Sequence, residues 1–257
     1  MINSPKGESG NFNRSSIYPW IATFLDLIFP INCRTCYKKL SSESVKAGYI
    51  CEDCWKSVDY IRLPYCLRCG HPAGDGFSEK CEECKSIRPI YFSKSRGIAQ
   101  YSGVIRKTIH FWKYEYKQDL TNPLQYLMAK YIQITNDIPE ADLIIPVPLH
   151  PVRLREREFN QAELLGEPIA NLLKVPMMPD ILKRTRYTRP QMELSAEERW
   201  KNVEGLFTSS NMNFLKGKKI LLVDDVMTTG ATVNECSRVL MEAGAKEVQV
   251  LVLARGK

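Results

Sequence analysis

The sequence predicts an α/β domain, a parallel sheet covered by helices on both faces, preceded by a small cysteine-rich module held together by metal. Three observations carry this. After Pro89 short apolar runs alternate with helical periods, which implies a parallel sheet with crossover helices. Before Pro89 four C-x2-C pairs stand in a stretch with no long apolar run, too poor to build a core from side chains alone. Between the last two strands, ILLVDDVMTTGAT (Ile220 to Thr232) puts two acids and a small-residue loop at a strand-to-helix junction.

Bulk properties narrow the class. The chain has 257 residues, 44% hydrophobic and 25% charged, which excludes a disordered or fibrous protein. Its longest apolar stretch, Trp20 to Ile31, contains Asp26 and Pro30 and falls short of the roughly 20 residues that cross a bilayer, so no membrane span is expected. Met1 to Ser16 has no apolar run behind its basic residues and does not read as a secretory signal. Together with an odd number of cysteines, nine, this favours metal ligands or free thiols over disulfides and a cytoplasmic location. The net charge of +7 lies mostly in the middle of the chain, with seven basic and two acidic residues in 91–136. Such a balance permits polyanionic partners without requiring one.

The elements follow in order. Residues 1–19 read as a flexible tail, and Trp20 to Phe29 as a short helix with Ile21, Leu25 and Ile28 on one docking face. Residues 20–90 thus hold the helix and the cysteine module, and 91–257 the α/β domain. In the latter, Gly97–Tyr101 suggests a strand, Val104–Tyr114 and Leu120–Ile134 helices, and Asp142–Val147 a buried strand. Asn160–Leu173 is a helix, Lys219–Val223 a strand, Thr232–Glu242 a helix ended by Gly244, and Val248–Leu253 the last strand.

Cys33/Cys36, Cys51/Cys54, Cys66/Cys69 and Cys81/Cys84 are separated by 14, 11 and 11 residues. Each C-x2-C lets two thiolates approach one ion from a tight turn, and two such knuckles complete a tetrahedral site, so eight ligands make two structural Zn²⁺ sites of the zinc-ribbon kind. Sequential pairing (33/36/51/54 and 66/69/81/84) needs the shortest loops; a cross-braced pairing is the alternative. With every knuckle complete, His71 reads as a neighbouring histidine and Cys236 as a small buried hydrophobe. A chelator is expected to melt residues 33–84 and spare the α/β domain.

In the 220–232 stretch, four apolar residues deliver Asp224 and Asp225 to the carboxyl end of a strand, where open α/β sheets bind ligands. Thr228, Thr229, Gly230, Ala231 and Thr232 then turn into a helix. Small residues let backbone N–H groups approach a phosphate, and the helix N-terminus favours negative charge. Neither a G-K-[ST] loop nor a G-x-G-x-x-G fingerprint is present. An ordinary strand-to-helix turn would explain the threonines but not the two acids.

This stretch resembles the phosphoribosyl-pyrophosphate (PRPP) motif of type I phosphoribosyltransferases. Taken with the cysteine knuckles, PVPLHPVRLREREFNQAELL (146–165) and KRTRYTRPQMELSAEERWKNVEGLF (183–207), the order of motifs is similar to that of the ComF (competence protein F, GntX) family, over residues 20 to 255. The resemblance implies the type I phosphoribosyltransferase fold. It implies that Asp224 and Asp225, the catalytic acids, hold the ribose hydroxyls, and that residues 228–232 hold the 5′-phosphate. By the same resemblance Arg153, Arg155 and Arg157 lie at the pyrophosphate loop, and Lys183, Arg184, Arg186, Arg189, Gln191, Arg199 and Asn202 belong to a flexible loop that closes over the site. Mg²⁺ would arrive with PRPP. Two departures stand out: Glu158 where the family pattern has glycine (R-G-F-N-Q), and Trp112 to Tyr116 where it has L-K-Y-x-G. Both remove a glycine, and Glu158 sets a like charge beside the pyrophosphate.

The implied functions are phosphoribosyl transfer from PRPP to a nucleophile, in DNA uptake (natural transformation) or nucleotide metabolism; handling of single-stranded DNA with a helicase-like partner; and PRPP sensing without turnover. For DNA, basic residues and aromatics interleave in 106–117, as a stacking groove requires. A helix there would instead bury Ile105, Ile109, Trp112 and Tyr116 and leave the lysines in solvent.

Overall fold

A computed structural model describes residues 31–40, 49–73, 79–85, 88–115, 118–135, 137, 140–188, 195–210 and 212–256. The expected tail, the 20–29 helix, Tyr116, Arg189 and Gln191 lie outside them. Among the described residues no helix is long and apolar enough to cross a membrane.

The chain runs α1 (Glu52–Lys56), α2 (Glu82–Lys85), β1 (Lys94–Gln100), α3 (Gly103–Tyr114), α4 (Thr121–Ile134), β2 (Leu143–Pro146), α5 (Pro151–Arg157), α6 (Gln161–Leu173), β3 (Leu182–Arg184), α7 (Ala196–Val203), β4 (Phe207–Ser209), α8 (Met212–Leu215), β5 (Lys219–Met227), α9 (Ala231–Glu242) and β6 (Glu247–Arg255). Four strands form a wholly parallel sheet in the order β1-β6-β5-β2, and β3 and β4 pair as a separate antiparallel ribbon.

Alternation along the strands divides the core in two. Ile220 and Leu222 of β5, with Val248, Val250 and Val252 of β6, face α9 through Val233, Cys236 and Leu240. Leu221 and Val223, with Leu251 and Leu253, face α3, α4 and α6 through Ile109, Trp112, Leu124, Leu165 and Ile169. Strands buried on both faces read as near-continuous apolar runs, which is why β5 and β6 stood out. Trp112 is fully buried, and its indole N–H donates to Thr121 Oγ1 at 3.0 Å. A ring so enclosed cannot stack on a nucleic acid, so Gly103–Tyr114 is a core-facing helix with Arg106 and Lys107 on its outer side.

The cysteine module is not a separate bead. Cys33, Cys51 and Cys54 belong to the core on the α3 side, and Cys66, Cys69, Cys81 and Cys84 to the core on the α9 side. Between them the chain lies along the outer edge of β1. Ile61 N–H donates to Ile98 O at 3.0 Å, Gln100 N–H to Asp59 O at 2.8 Å and Ser95 N–H to Arg68 O at 2.6 Å. Gly97 permits this approach: a Cβ there would lie 2.8 Å from Arg255 Cβ and 3.1 Å from Ile61 Cδ1. The opposite edge is partly covered by residues 176–178, through Ile144 N–H to Pro176 O (3.0 Å) and Met178 N–H to Ile144 O (2.9 Å).

Candidate metal centres and candidate phosphate site

The cysteines gather sequentially into two four-sulfur clusters, Cys33/Cys36/Cys51/Cys54 and Cys66/Cys69/Cys81/Cys84, each with all Sγ atoms within 4.8 Å of one another. Separations of 3.8 Å (Cys33–Cys54), 3.6 Å (Cys36–Cys51) and 3.5 Å (Cys69–Cys81) suit a tetrahedron with metal–sulfur bonds of ~2.3 Å, whose edges are roughly 3.8 Å. Backbone N–H groups of Thr35 and Cys51 donate to Cys33 Sγ at 3.4 Å, and those of Cys69 and Cys81 to Cys66 Sγ at 3.5 and 3.4 Å. Burial pushes both thiols up, but these donors outweigh it and bring Cys33 down to about 6 and Cys66 to about 7. Burial with neighbouring thiols pushes Cys54 and Cys84 up. One more readily ionised thiol per cluster beside reluctant partners is a donor set that fits Zn²⁺, whose charge would ionise the rest.

The second centre is a cavity of about 220 Å³ at the carboxyl ends of β2 and β5. Asp224 and Asp225 line it from β5, which runs past them to Met227 rather than ending at Val223 as expected. The acids lie on opposite sides of the strand. Asp225 meets Lys113 Nζ from the last turn of α3 at 2.6 Å. Asp224 lies on the side of Cys236 and Arg184, whose charges act on one another, and its carboxylate accepts the N–H of Asp225 at 2.8 Å. Burial, helped by the Asp225 charge and opposed by Lys113, raises Asp224 to about 7.

The expected arginines separate by helical geometry. Pro151–Arg157 is α5, begun by His150, whose Nδ1 accepts Val152 N–H at 3.2 Å, with proline in its first turn. Arg153 and Arg157, one turn apart, line the cavity; Arg155 is exposed and does not. Arg157 donates to Gln161 Oε1 and Tyr114 Oη, both at 3.3 Å. Glu158 ends α5 at φ 68°, ψ −17°, the left-handed region where glycine is at ease. Asn160 then caps α6, accepting Ala162 N–H at 3.2 Å and donating to Val147 O at 3.2 Å.

Of the expected closing loop, Arg184 and Arg199 line the cavity, Arg199 donating to Thr228 Oγ1 at 3.3 Å. Lys183 alternates outward on β3, and Arg186, also exposed, donates to Glu204 O at 2.9 Å. Asn202 lies in α7, its Nδ2 buried without a hydrogen-bond partner. The described parts of 183–207 are thus strand, capped helix and strand. Thr228 and Thr232 line the cavity, Thr229 Oγ1 accepts Ala231 N–H at 3.4 Å, and Gly230 takes φ 80° to begin α9. The loop is tied to the second cysteine cluster by Arg255, whose guanidinium donates to Thr228 O, to Met227 O at 3.1 Å and to Cys69 O at 3.4 Å.

Sequence reasoning did not place Lys113, Tyr114 or Gln161 in this site. Their signal lay in their segments: Lys113 and Tyr114 in the motif that departs from the family pattern, and Gln161 beside Asn160 in F-N-Q. Gln161 is buried, with Nε2 unpartnered at the cavity wall.

Residues 24–85 match the family model of the double zinc ribbon domain, and residues 160–257 that of the phosphoribosyl transferase domain. The "Competence protein F" of Haemophilus influenzae is 32% identical over 210 residues, covering 80% of this chain and 90% of that protein. This chain belongs to the ComF family. Two further ComF-like relatives are the "DNA utilization protein YhgH" of Escherichia coli K12, 31% identical over 209 residues (80% of this chain, 90% of that protein), and the "Competence protein ComFC" of Bacillus subtilis, 26% identical over 214 residues (80% and 84%). Among solved structures, the ComF chain is similar to the glutamine PRPP amidotransferase of B. subtilis (22% identity, 52% of this chain, 26% of that chain, TM-score 0.37). It is also similar to the adenine phosphoribosyltransferase of Thermoanaerobacter pseudethanolicus (19%, 68% and 86%, TM-score 0.35).

Proposed function

We propose that this ComF-family protein binds PRPP with Mg²⁺ in the smaller cavity and acts in the uptake or utilisation of DNA. One observation carries the binding: five cations, Lys113, Arg153, Arg157, Arg184 and Arg199, share the cavity with the acid pair and the Thr228–Thr232 loop. A ligand with a diol at its centre and phosphates at both ends suits that division of charge. Asp224 and Asp225 accept hydrogen bonds from the ribose hydroxyls, the loop N–H groups and α9 N-terminus take the 5′-phosphate, and Arg153 and Arg157 take the pyrophosphate. Mg²⁺, a hard cation that keeps most of its water, is held chiefly by the ligand's own oxygens and neutralises the pyrophosphate as it bears on Glu158. The DNA process rests on the names of the relatives, which speak of competence and DNA utilization.

Where turnover follows, the cavity supplies position and charge to a ribose cation rather than a nucleophile of its own. The test is calorimetric titration of the zinc-loaded protein with PRPP, with and without Mg²⁺, beside Asp225→Asn. Saturable, Mg²⁺-dependent binding that weakens at least about tenfold in the variant is expected, a loss of ~1.4 kcal/mol. Equal affinity in the two proteins removes the assignment.

A further inference from the structure

A second and larger cavity, about 750 Å³, adjoins the same loop, with Thr228 common to both. Its walls come from the second cysteine cluster (Cys69, Cys84, His71), from Ile90 and Phe92 ahead of β1, and from Trp200 of α7. Thr228, Thr229 and Gly230 of the proposed 5′-phosphate loop form one side of it, with Arg255, but PRPP binding gives Ile90, Phe92 and Trp200 no role. We infer that this cavity is a nucleobase site that takes an amino-bearing base against the indole of Trp200.

Three features point to that chemistry. The guanidinium of Arg88 lies 4.6 Å from the Trp200 ring centre, so the indole already carries a flat π-partner on one face. Arg88 is exposed, and a surface cation–π contact of roughly 0.5–1 kcal/mol yields readily to a stacked base. His71 lines the cavity too, adding a half-buried flat ring to its wall. Glu83 and Glu197 also line the space, Glu197 exposed and only 3.5 Å-paired to Lys201. Carboxylates repel phosphate but accept from exocyclic amines, as they do from cytosine. The two carboxylates therefore favour adenine or cytosine over uracil or thymine. The base can arrive as a free nucleoside or on a single strand; the chemistry is shared.

The zinc-loaded full chain is titrated with adenosine, cytidine and uridine, and separately with short oligo-dA and oligo-dT. Adenosine and cytidine are expected to bind at least about fivefold tighter than uridine. Trp200→Leu, which keeps an apolar side chain at this partly buried position, loses about tenfold or more, and Trp200→Phe stays within about threefold. Glu197→Gln, at an exposed position, narrows the preference for amino-bearing bases. Trp200-dependent binding of oligo-dA alone supports the site with the base presented by a strand; binding of nucleosides alone supports it as a small-molecule site. Binding that is lost in Asp225→Asn but not in Trp200→Leu places the base in the smaller cavity and overturns the inference while leaving PRPP binding standing. Equal affinity for adenosine and uridine, or no binding by any probe, overturns it too.

Discussion

Lys113 and Asp225 face each other across 2.6 Å at the wall of the smaller cavity, with side chains only 17% and 9% exposed. The pair is a product of helix geometry. Trp112, the residue before Lys113, is buried against the sheet, and that anchors the last turn of α3 so that the ammonium reaches the end of β5. A charge pair this enclosed is costly to halve, because the survivor stays buried without its counter-ion. Lys113→Met is expected to lower unfolding free energy by about 3 kcal/mol at pH 8 and by less at pH 5, where Asp224 is protonated and Lys113 offsets one buried charge rather than two. Urea unfolding at the two pH values measures it; an equal loss at both contradicts the account.

Asp224 gives a separate pH signature. Its folded value, about 7, lies above its ordinary 3.8, chiefly through burial. Between those values the folded chain holds a proton that the unfolded chain has released, so its contribution to stability falls as pH rises from about 4 to about 7 and is level above. Asn cannot titrate. Asp224→Asn should therefore match the parent near pH 4 and exceed it at pH 8, the gap growing by at most ~1.4 kcal/mol per pH unit. A parallel pair of stability–pH curves would rule this out.

Glu158 occupies a backbone conformation made for glycine, at φ 68°. Glu158→Gly is expected to raise stability by roughly 1 kcal/mol through relief of the left-handed Cβ contact. It should also tighten PRPP binding by removing a like charge from the pyrophosphate side, most visibly at low salt. Thermal melts and calorimetry at two ionic strengths check both parts, and a variant less stable than the parent refutes the first.

Metal removal should not act locally. Elemental analysis is expected to find two zinc ions per chain. Because the two clusters are built into the cores on either side of the sheet, chelation should lower the melting of the α/β domain along with that of the module. A domain transition that keeps its midpoint after chelation would restore the simpler picture of an independent module.

That simpler picture is what the spacing of the cysteines suggested, and its revision shows where sequence reading stops. The knuckles and the near-continuous apolar runs of β5 and β6 were legible because each is a local pattern with one physical cause, and the shorter loops favoured the sequential pairing over the cross-braced one. Trp112 as a core residue was legible from its spacing to Ile105 and Ile109. Arg155 was not separable from Arg153 and Arg157 while Pro151–Arg157 was read as a loop; only a helix sends the middle arginine away. Lys113 could not be assigned because its partner lies 112 residues on, and side-chain reach between distant elements has no sequence period. The course of residues 59–68 along β1 likewise depends on long-range backbone bonds that leave no pattern in composition.

Those backbone bonds have a consequence for what the sheet edge offers a neighbouring chain. Edge strands offer a row of unsatisfied donors and acceptors to any neighbour, and a parallel sheet with apolar faces is a poor place to leave one bare. Here Asp59, Ile61 and Arg68 of the cysteine module take up that edge with their main chain. The two zinc sites thus double as a guard on self-association: a chain that loses them frees the outer edge of β1, and its first failure is strand-to-strand pairing into aggregates while much of its helix content persists.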